Sequence, residues 1–406
     1  MSLPPVALYV HFPFCVSICP YCDFVVVPGR AARGPANRVA ALVDALAAEI
    51  KLRAPARRAP LRSVYLGGGT PSLMTPGQVG QLLSVVDREF GLAPDAEVTL
   101  EVNPGQGERG DAAGFRAAGV NRLSLGGQSF DAVELRRLGR RHSAADVAAT
   151  VTEARRAGFD NISLDLLYDV PGQTPASWRN SVAAALALAP NHISAYALSL
   201  DDPAAEGLSG PLGDHLPPPA GALRWRSRAR AEQDADLAAD MYELADELLG
   251  AAGLAWYEIS NWAMAGRESR HNLTYWRSES WEAVGPGAHA FDGARTRRWN
   301  AARLDGYLAA LLPGDGSAAR LPPGGSETTE ESLAAAERAI LRLRTSDGLP
   351  RGIAEAPAFR VALSWARASG LVDAIDGGGA RLTRRGRLLS NEVFLRLLPE
   401  AERVAA

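Results

Sequence analysis

Short runs of β-branched and apolar residues recur through the first half of the chain, each followed by a turn and then by apolar residues at helical spacing. ALYVHF, SVYLG, EVTLEV, RLSLG, NISLDLLY and HISAYALS predict strands. Between the second and third runs, TPGQVGQLLSVVDREFG carries its own start and stop signals. Thr75 and Gln78 have the spacing of a reciprocal cap, Pro76 takes the tolerant first helical position, and Gly91 ends the pattern. Val79, Leu82, Leu83, Val86 and Phe90 form one apolar face. Two later stretches, FRAAGVNRLSL and ARRAGFDNISL, both run helix, Ala-Gly, strand. Such alternation predicts an α/β fold with a parallel sheet and right-handed crossovers. Six units predict an open or partial (β/α)6 barrel, in which ligands gather beyond the carboxyl ends of the strands. The suggestive segments fall there: a cysteine loop after the first strand, GGGTP after the second, EVNPG after the third, GGQSF after the fourth and Asp165 on the fifth.

The pattern changes near residue 201, where DDPAAEGLSGPLGDHLPPPAG predicts a surface excursion to about residue 236. A helix follows with Met241, Leu244, Ala245, Leu248 and Leu249 on one face, then a stretch dense in aromatics. A second linker, PGDGSAARLPPGGSE, leads to a helical tail whose Thr328 and Glu331 have capping-box spacing. The last residues predict a helix, a hairpin and a helix, as in a winged-helix-like module. Three regions are expected: a barrel over 1–200, a linker and aromatic-rich region over 201–311, and a C-terminal helical, winged-helix-like domain over 312–406, the part after the barrel being α+β in class.

Hydrophobic residues make up 47% of the 406 positions and charged residues 22%, the proportions of a soluble globular protein. A formal net charge of −3 argues for neither a nucleic-acid binder nor a disordered acidic tail, and no nucleic-acid partner is expected. The basic run KLRAPARRAPLR gathers Lys51, Arg53, Arg57, Arg58 and Arg62. It reads first as a solvated helix end and second as a docking patch for an acidic partner, a carboxylated ligand or, peripherally, a membrane surface. The opening residues lack the layout of a signal peptide, no stretch is long and apolar enough to span a bilayer, and three clustered cysteines make a poor disulfide set. A cytoplasmic location is expected.

All three cysteines lie in YVHFPFCVSICPYCDF, spaced C-x3-C-x2-C as Cys15, Cys19 and Cys22. A metal or cluster stabilises such groups as thiolates. Structural zinc asks for four ligands, and only His11 stands near in sequence to complete a set. A 4Fe–4S cluster is normally held by four cysteines, so three leave one iron open to a non-protein ligand. An inert thiol cluster is the third reading. GGGTP is not a P-loop, since no Gly-Lys-Ser/Thr follows it.

The spacing resembles that of radical S-adenosylmethionine (SAM) proteins, in which the amino and carboxylate groups of SAM chelate the open iron. YVHFPFCVSICPYCDF, YLGGGTPSLM, EVNPG, GVNRLSLGGQSF, LRRLGRRHS and LDLLYDVPGQT resemble, in order, motifs of the oxygen-independent coproporphyrinogen III oxidase-like family. The resemblance implies that Cys15, Cys19 and Cys22 bind the cluster, with Tyr21 beside it. It implies that Tyr9 lines the SAM site, that Gly68, Gly69 and Thr70 present backbone to the methionyl end, and that Glu101, Gln128, Arg140 and Asp165 contact methionyl and ribose groups. Two positions depart from the family's usual pattern: Gly127 replaces a branched apolar residue, and Asp169-Val170 stands where Gly-Leu is usual. Both bear on local loop shape.

The family's porphyrinogen dehydrogenases carry C-x3-C-x2-C-x-C and a longer N-terminal extension. Here Phe24 takes the place of the last cysteine and fourteen residues precede Cys15, which points to the family's haem-chaperone branch. YEISNW, HNLTYW and GPGAHAF resemble that branch too. The resemblance makes His271, Asn272, Tyr275 and Trp276 candidate haem contacts, with His271 as candidate axial ligand. Trp256, Tyr257, Trp262 and Trp281 add ring area and His289 a second imidazole; the same residues read equally as an aromatic core with hydrogen-bonded histidines. The function expected is a haem chaperone that binds a 4Fe–4S cluster, SAM and haem and passes haem to acceptor haemoproteins, those of the respiratory chain among them. The alternatives are a radical SAM enzyme, acting on coproporphyrinogen III or another substrate, and a sensor without turnover. The same ligands serve SAM binding and SAM cleavage, so the residues leave enzyme and carrier both open.

Overall fold

A computed structural model describes residues 3–32, 37–55, 59–200 and 208–403. The six expected strands form as β1 (Ala7–Phe12), β2 (Leu61–Gly68), β3 (Leu92–Val102), β4 (Arg122–Gln128), β5 (Ile162–Tyr168) and β6 (His192–Ala197). They are hydrogen-bonded in that order and run parallel. The crossovers are α1 (Val39–Leu52), α2 (Pro76–Glu89), α3 (Ala112–Ala117), α4 (Ala132–Arg137), α5 (Ala144–Arg156) and α6 (Pro175–Ala187). At α2 the reciprocal cap forms: the Gln78 backbone amide donates to Thr75 Oγ1 at 3.2 Å, and the Thr75 amide donates to Gln78 Oε1 at 2.9 Å.

Residue parity along the strands separates two faces. Leu8, Val10, Phe12, Leu66, Leu100, Leu125, Leu164 and Ile193 are buried in one core with the helices. The opposite parity carries Tyr9, Tyr65, Thr99, Glu101, Ser124, Ser163, Asp165 and Ser194, in register neighbour to neighbour. A parallel sheet covered on both sides is normally apolar on both. Here the inner face of the barrel is polar, which suits a polar ligand and not a packed core.

The second half lengthens this sheet at both edges. β7 (Ala255–Glu258) and β8 (Asn261–Ala263) add a hairpin antiparallel to β6. On the other edge β9 (Trp281–Val284) runs parallel to β1, followed by antiparallel β10 (His289–Phe291), β11 (Thr296–Asn300) and β12 (Gly324–Thr328). The order is β12-β11-β10-β9-β1-β2-β3-β4-β5-β6-β8-β7. Helices α7 (Ala220–Arg230), α8 (Ala235–Ala251), α9 (Arg270–Trp276), α10 (Leu304–Leu311) and α11 (Glu331–Leu343) complete this part.

Two expectations are corrected. The 201–236 stretch is not all surface excursion: within its described part it forms α7, and α8 starts at Ala235 because Asp234 caps it through the amides of Asp236 and Leu237. Thr328 does not cap α11. It pairs with Thr296 in the β11–β12 ladder and shares a 3.1 Å hydrogen bond with its hydroxyl, and α11 starts after Glu330 without a side-chain cap. Strand pairing outcompeted the cap.

The chain ends in a second core built by α12 (Arg351–Ala354), α13 (Pro357–Ala368), the hairpin β13 (Val372–Ile375) and β14 (Gly379–Leu382), α14 (Arg384–Leu388) and α15 (Ser390–Leu397), the expected helix, hairpin and helix. In the basic run, Arg53 pairs with Glu49 at 2.6 Å and Arg62 with Glu279, while Arg57 and Arg58 lie outside the described residues. Among the described residues no helix is long and apolar enough to cross a membrane.

Candidate cluster and cofactor site

β1 delivers the chain into the cysteine loop at the carboxyl end of the barrel, and a short parallel ladder of Phe14–Cys15 with Val27–Pro28 closes the loop's base. His11 is buried beneath it. One ring nitrogen shares a 3.0 Å bond with Tyr9 Oη and the other meets Val25 O at 2.8 Å, so it ties strand to loop and is not spare as a fourth ligand. Cys15 Sγ lies 3.4 Å from Thr70 Oγ1, and Arg140 Nη1 donates to Cys19 Sγ at 3.7 Å. Burial raises the thiols, Cys15 to about 11 and Cys22 to about 12, and their mutual proximity adds to this. Thiolates in this loop therefore need nearby positive charge, which cluster iron supplies. Among the described residues no ligand set converges on a point suited to one ion. A cubane presents its irons at separate corners, so its three thiols need not converge.

The glycines after β2 are required where they stand. Gly68 has φ +109°, and an added Cβ would lie 2.5 Å from the His11 ring; at Gly69 it would lie 2.6 Å from Phe14 O. The amides of Gly69 and Thr70 donate to Phe12 O and Phe14 O at 2.7 and 2.8 Å, seating the turn against the loop's base. Glu101 reaches across from β3 and accepts from the Gly68 amide at 2.9 Å and from Tyr65 Oη at 2.8 Å. Burial lifts its carboxyl to about 7, with the Asp165 charge adding to the rise. Asp165, raised by burial as well, accepts from Ser124 Oγ at 3.3 Å. Arg140 enters from the turn after α4, donating to Gly126 O at 2.8 Å and to Asn103 Oδ1. Gln128, at φ +63°, ends β4, and a Cβ on Gly126 would lie 2.9 Å from its amide nitrogen and 3.3 Å from Arg140 Nη2. Arg140 Nε is buried without a hydrogen-bond partner, whereas Arg122, at the amino end of β4, has its Nε 4.0 Å from Glu97 Oε2. Two buried carboxylates with raised pKa values and the part-satisfied Arg140 guanidinium, at the polar end of one barrel, fit a zwitterionic ligand with hydroxyls and a cationic centre, as SAM is.

The departures from the family pattern have physical roles. Gly127 O accepts from His142 Nε2 at 3.0 Å. Asp169 sits at φ +58°, a conformation for which glycine is the default and aspartate a tolerated substitute. Its carboxylate accepts from Gln233 Nε2 at 3.0 Å, fastening the segment between α7 and α8.

The HNLTYW segment forms α9 and lies elsewhere, at the amino end of the barrel. His271 is 1% exposed; its Nδ1 and Ser63 Oγ are 3.0 Å apart, and its Nε2 and Tyr275 Oη 2.7 Å. Burial lowers its pKa to about 3, and Arg122 adds to the effect. Ser269 Oγ caps the helix through the Asn272 amide at 3.3 Å, and Trp276 lies under the Arg344 guanidinium at 4.6 Å. Both imidazole nitrogens are thus engaged within the fold. The aromatic residues do not share one wall: Trp262 is buried against α8 and donates to Asp246, Tyr257 meets His192 at 2.9 Å, and Tyr275 packs edge-on to Trp281. His289, on β10, pairs with Asp214 at 2.7 Å.

Sequence reasoning passed over Asn103, Ser124 and Arg226. The period-two alternation of polar residues through five strands was the available signal for Ser124. Arg226 gave none, since a basic residue in a Pro-rich stretch reads as solvated.

A parallel partial barrel carrying three cysteines on its first loop and a polar lumen defines a radical SAM protein, and the profile of the Radical SAM superfamily matches residues 9–185. Coproporphyrinogen III oxidase (HemN) from Escherichia coli shares the fold, with a TM-score of 0.76 at 23% identity over 97% of this chain and 90% of that one. Heme chaperone HemW from Mycobacterium tuberculosis is 40% identical over 399 residues, 97% of this chain and 95% of that protein. Heme chaperone HemW from Bacillus subtilis is 34% identical over 97% of this chain and 99% of its own length. The chain belongs to the HemW heme chaperone family.

Proposed function

We propose that the protein is a haem chaperone that holds a 4Fe–4S cluster on Cys15, Cys19 and Cys22, binds SAM in the barrel, and carries haem to acceptor haemoproteins. The observation that carries this reading is the similarity to proteins named as haem chaperones over nearly the whole length, the segments beyond the barrel included. The cluster would supply an iron open to SAM's amino and carboxylate groups. The chain's own residues do the rest. Gly68, Gly69 and Thr70, whose amides are engaged, offer backbone carbonyls at the strand end, Glu101 and Asp165 offer carboxylates to ammonium and ribose hydroxyls, and Arg140 and Gln128 close the side next to Cys19. Tyr9 sets His11, and Tyr21 packs beside the loop. The haem contacts are assigned away from His271, whose nitrogens are occupied; respiratory haemoproteins are the proposed acceptors. Anaerobically reconstituted protein titrated with haem should bind it in a saturable, stoichiometric manner. Failure to bind, with conversion of coproporphyrinogen III to protoporphyrinogen IX in the same sample, would show a dehydrogenase instead.

A further inference from the structure

The C-P-Y-C half of the cysteine loop turns tightly, the Cys22 amide donating to Cys19 O at 3.1 Å. That turn leaves the carbonyls of Pro20 and Cys22 to be satisfied from outside it. One side chain meets both. Arg226, on α7, is only 4% exposed; its Nε donates to Pro20 O at 3.1 Å and its Nη2 to Cys22 O at 2.8 Å, while Nη2 also pairs with Asp23 Oδ1 at 2.7 Å. A planar, always-charged guanidinium can span two carbonyls and a carboxylate in one plane, which an ammonium cannot.

The contact belongs to a docked element. Trp225 lies 6.5 Å ring to ring from Tyr21, and both pack on an apolar cluster of Leu138, Leu167, Val170, Leu198, Leu200 and Ala229. The segment that follows is anchored as well, Gln233 donating to Leu198 O at 2.6 Å and to Asp169. From the opposite side the loop meets Gly139, where an added Cβ would stand 2.9 Å from Pro20 Cδ, and Arg140, which donates to Cys19 Sγ.

We propose that α7 is a strap over the cluster loop and that Arg226 is a positioning residue for the cluster, fixing the carbonyls on either side of Tyr21 so that Cys19 and Cys22 present their thiolates together. Asp23 neutralises the guanidinium, so the strap acts through loop geometry and exclusion of water more than through net charge. The inference rests on the reading of Cys15, Cys19 and Cys22 as cluster ligands.

The test compares wild-type protein with Arg226→Ala and Arg226→Lys, each reconstituted anaerobically with iron and sulfide. Cluster loss to an iron chelator is followed by absorbance, the reduced cluster by electron paramagnetic resonance with and without SAM, and the metal-free fold by thermal melting. Arg226→Ala should lose its cluster about 10- to 100-fold faster, the usual cost of removing an outer-shell partner, with an altered resonance line shape. Arg226→Lys should fall between it and wild type. Arg267→Ala, which removes a surface pair with Asp160, should match wild type. If wild-type protein takes up no cluster, the ligand assignment itself fails. If wild type holds the cluster and both Arg226 variants retain it within twofold with unchanged spectra, the strap is refuted and the assignment survives. If Arg226→Ala does not fold, Arg226→Lys decides alone.

Discussion

The two ends of the barrel are furnished with the same kinds of side chain and put them to opposite uses. At the amino end, His271, Ser63, Tyr275, Glu97 and Ser269 satisfy one another, and His192 is held between Ser163 and Tyr257. At the carboxyl end, Glu101 and Asp165 are buried with raised pKa values, Arg140 keeps a buried nitrogen without a partner, and burial pushes up the Cys15 and Cys22 thiols. Residue type therefore says little about which end does the chemistry. The pairing of charge and imidazole separates them better: at the amino end Glu97 lies 4.0 Å from the Arg122 guanidinium and His271 and His192 are bonded through both nitrogens, whereas among the described residues Glu101 and Asp165 have no ion-pair partner.

That contrast can be broken most forcefully at the cysteines. Changing Cys15, Cys19 or Cys22 to Ala should abolish iron and sulfide incorporation, measured on reconstituted protein, and full incorporation by any one variant would remove it from the ligand set. Next comes His271→Ala. Opening a cavity and stranding Ser63 and Tyr275 should cost about 2–4 kcal/mol of stability by denaturant melting, while haem affinity stays as in wild type. A spectrum of bound haem altered by that change, with stability intact, would make α9 a ligand site after all.

Glu101→Gln sharpens the other end. Its carboxyl titrates near 7 in the fold against about 4.5 when exposed. The folded chain holds that proton more tightly, so stability is full below the ordinary value and falls as pH rises toward 7. Without SAM, the variant should melt higher than wild type at about pH 8 and alike at about pH 4. It should also bind SAM roughly 10-fold more weakly at high pH, since an ionised acceptor is lost. Equal SAM affinity would place the ligand elsewhere. The histidines move the opposite way: His11 and His142 are lowered to about 4 and His271 to about 3, chiefly by burial. The unfolded chain binds their protons first, so stability should drop as pH falls from about 6.5 toward 4. The smallest effect is expected at Phe24. Its side chain is 64% exposed, and Phe24→Ala should change stability by less than about 0.5 kcal/mol.

The barrel was legible because its strands are short apolar runs cut by glycine turns, and because the cysteines, GGGTP and EVNPG all fall at strand ends. α2 could be read to its caps. What could not be read was pairing at long range. Thr328 carries a capping pattern that a strand partner overrides, and nothing local to HNLTYW shows that its imidazole bonds Ser63, 208 residues away. The linker was hardest. Its Pro and Gly content concealed α7, and nothing local marks Arg226 as the partner of Pro20 and Cys22.

The most direct measurement of the central claim is haem transfer. Reconstituted protein loaded with one equivalent of haem is mixed with an apo-haemoprotein in the presence of SAM, with coproporphyrinogen III in a parallel sample. The account predicts spectral appearance of the acceptor's haem and no consumption of the porphyrinogen. Porphyrinogen consumption without haem transfer would contradict it.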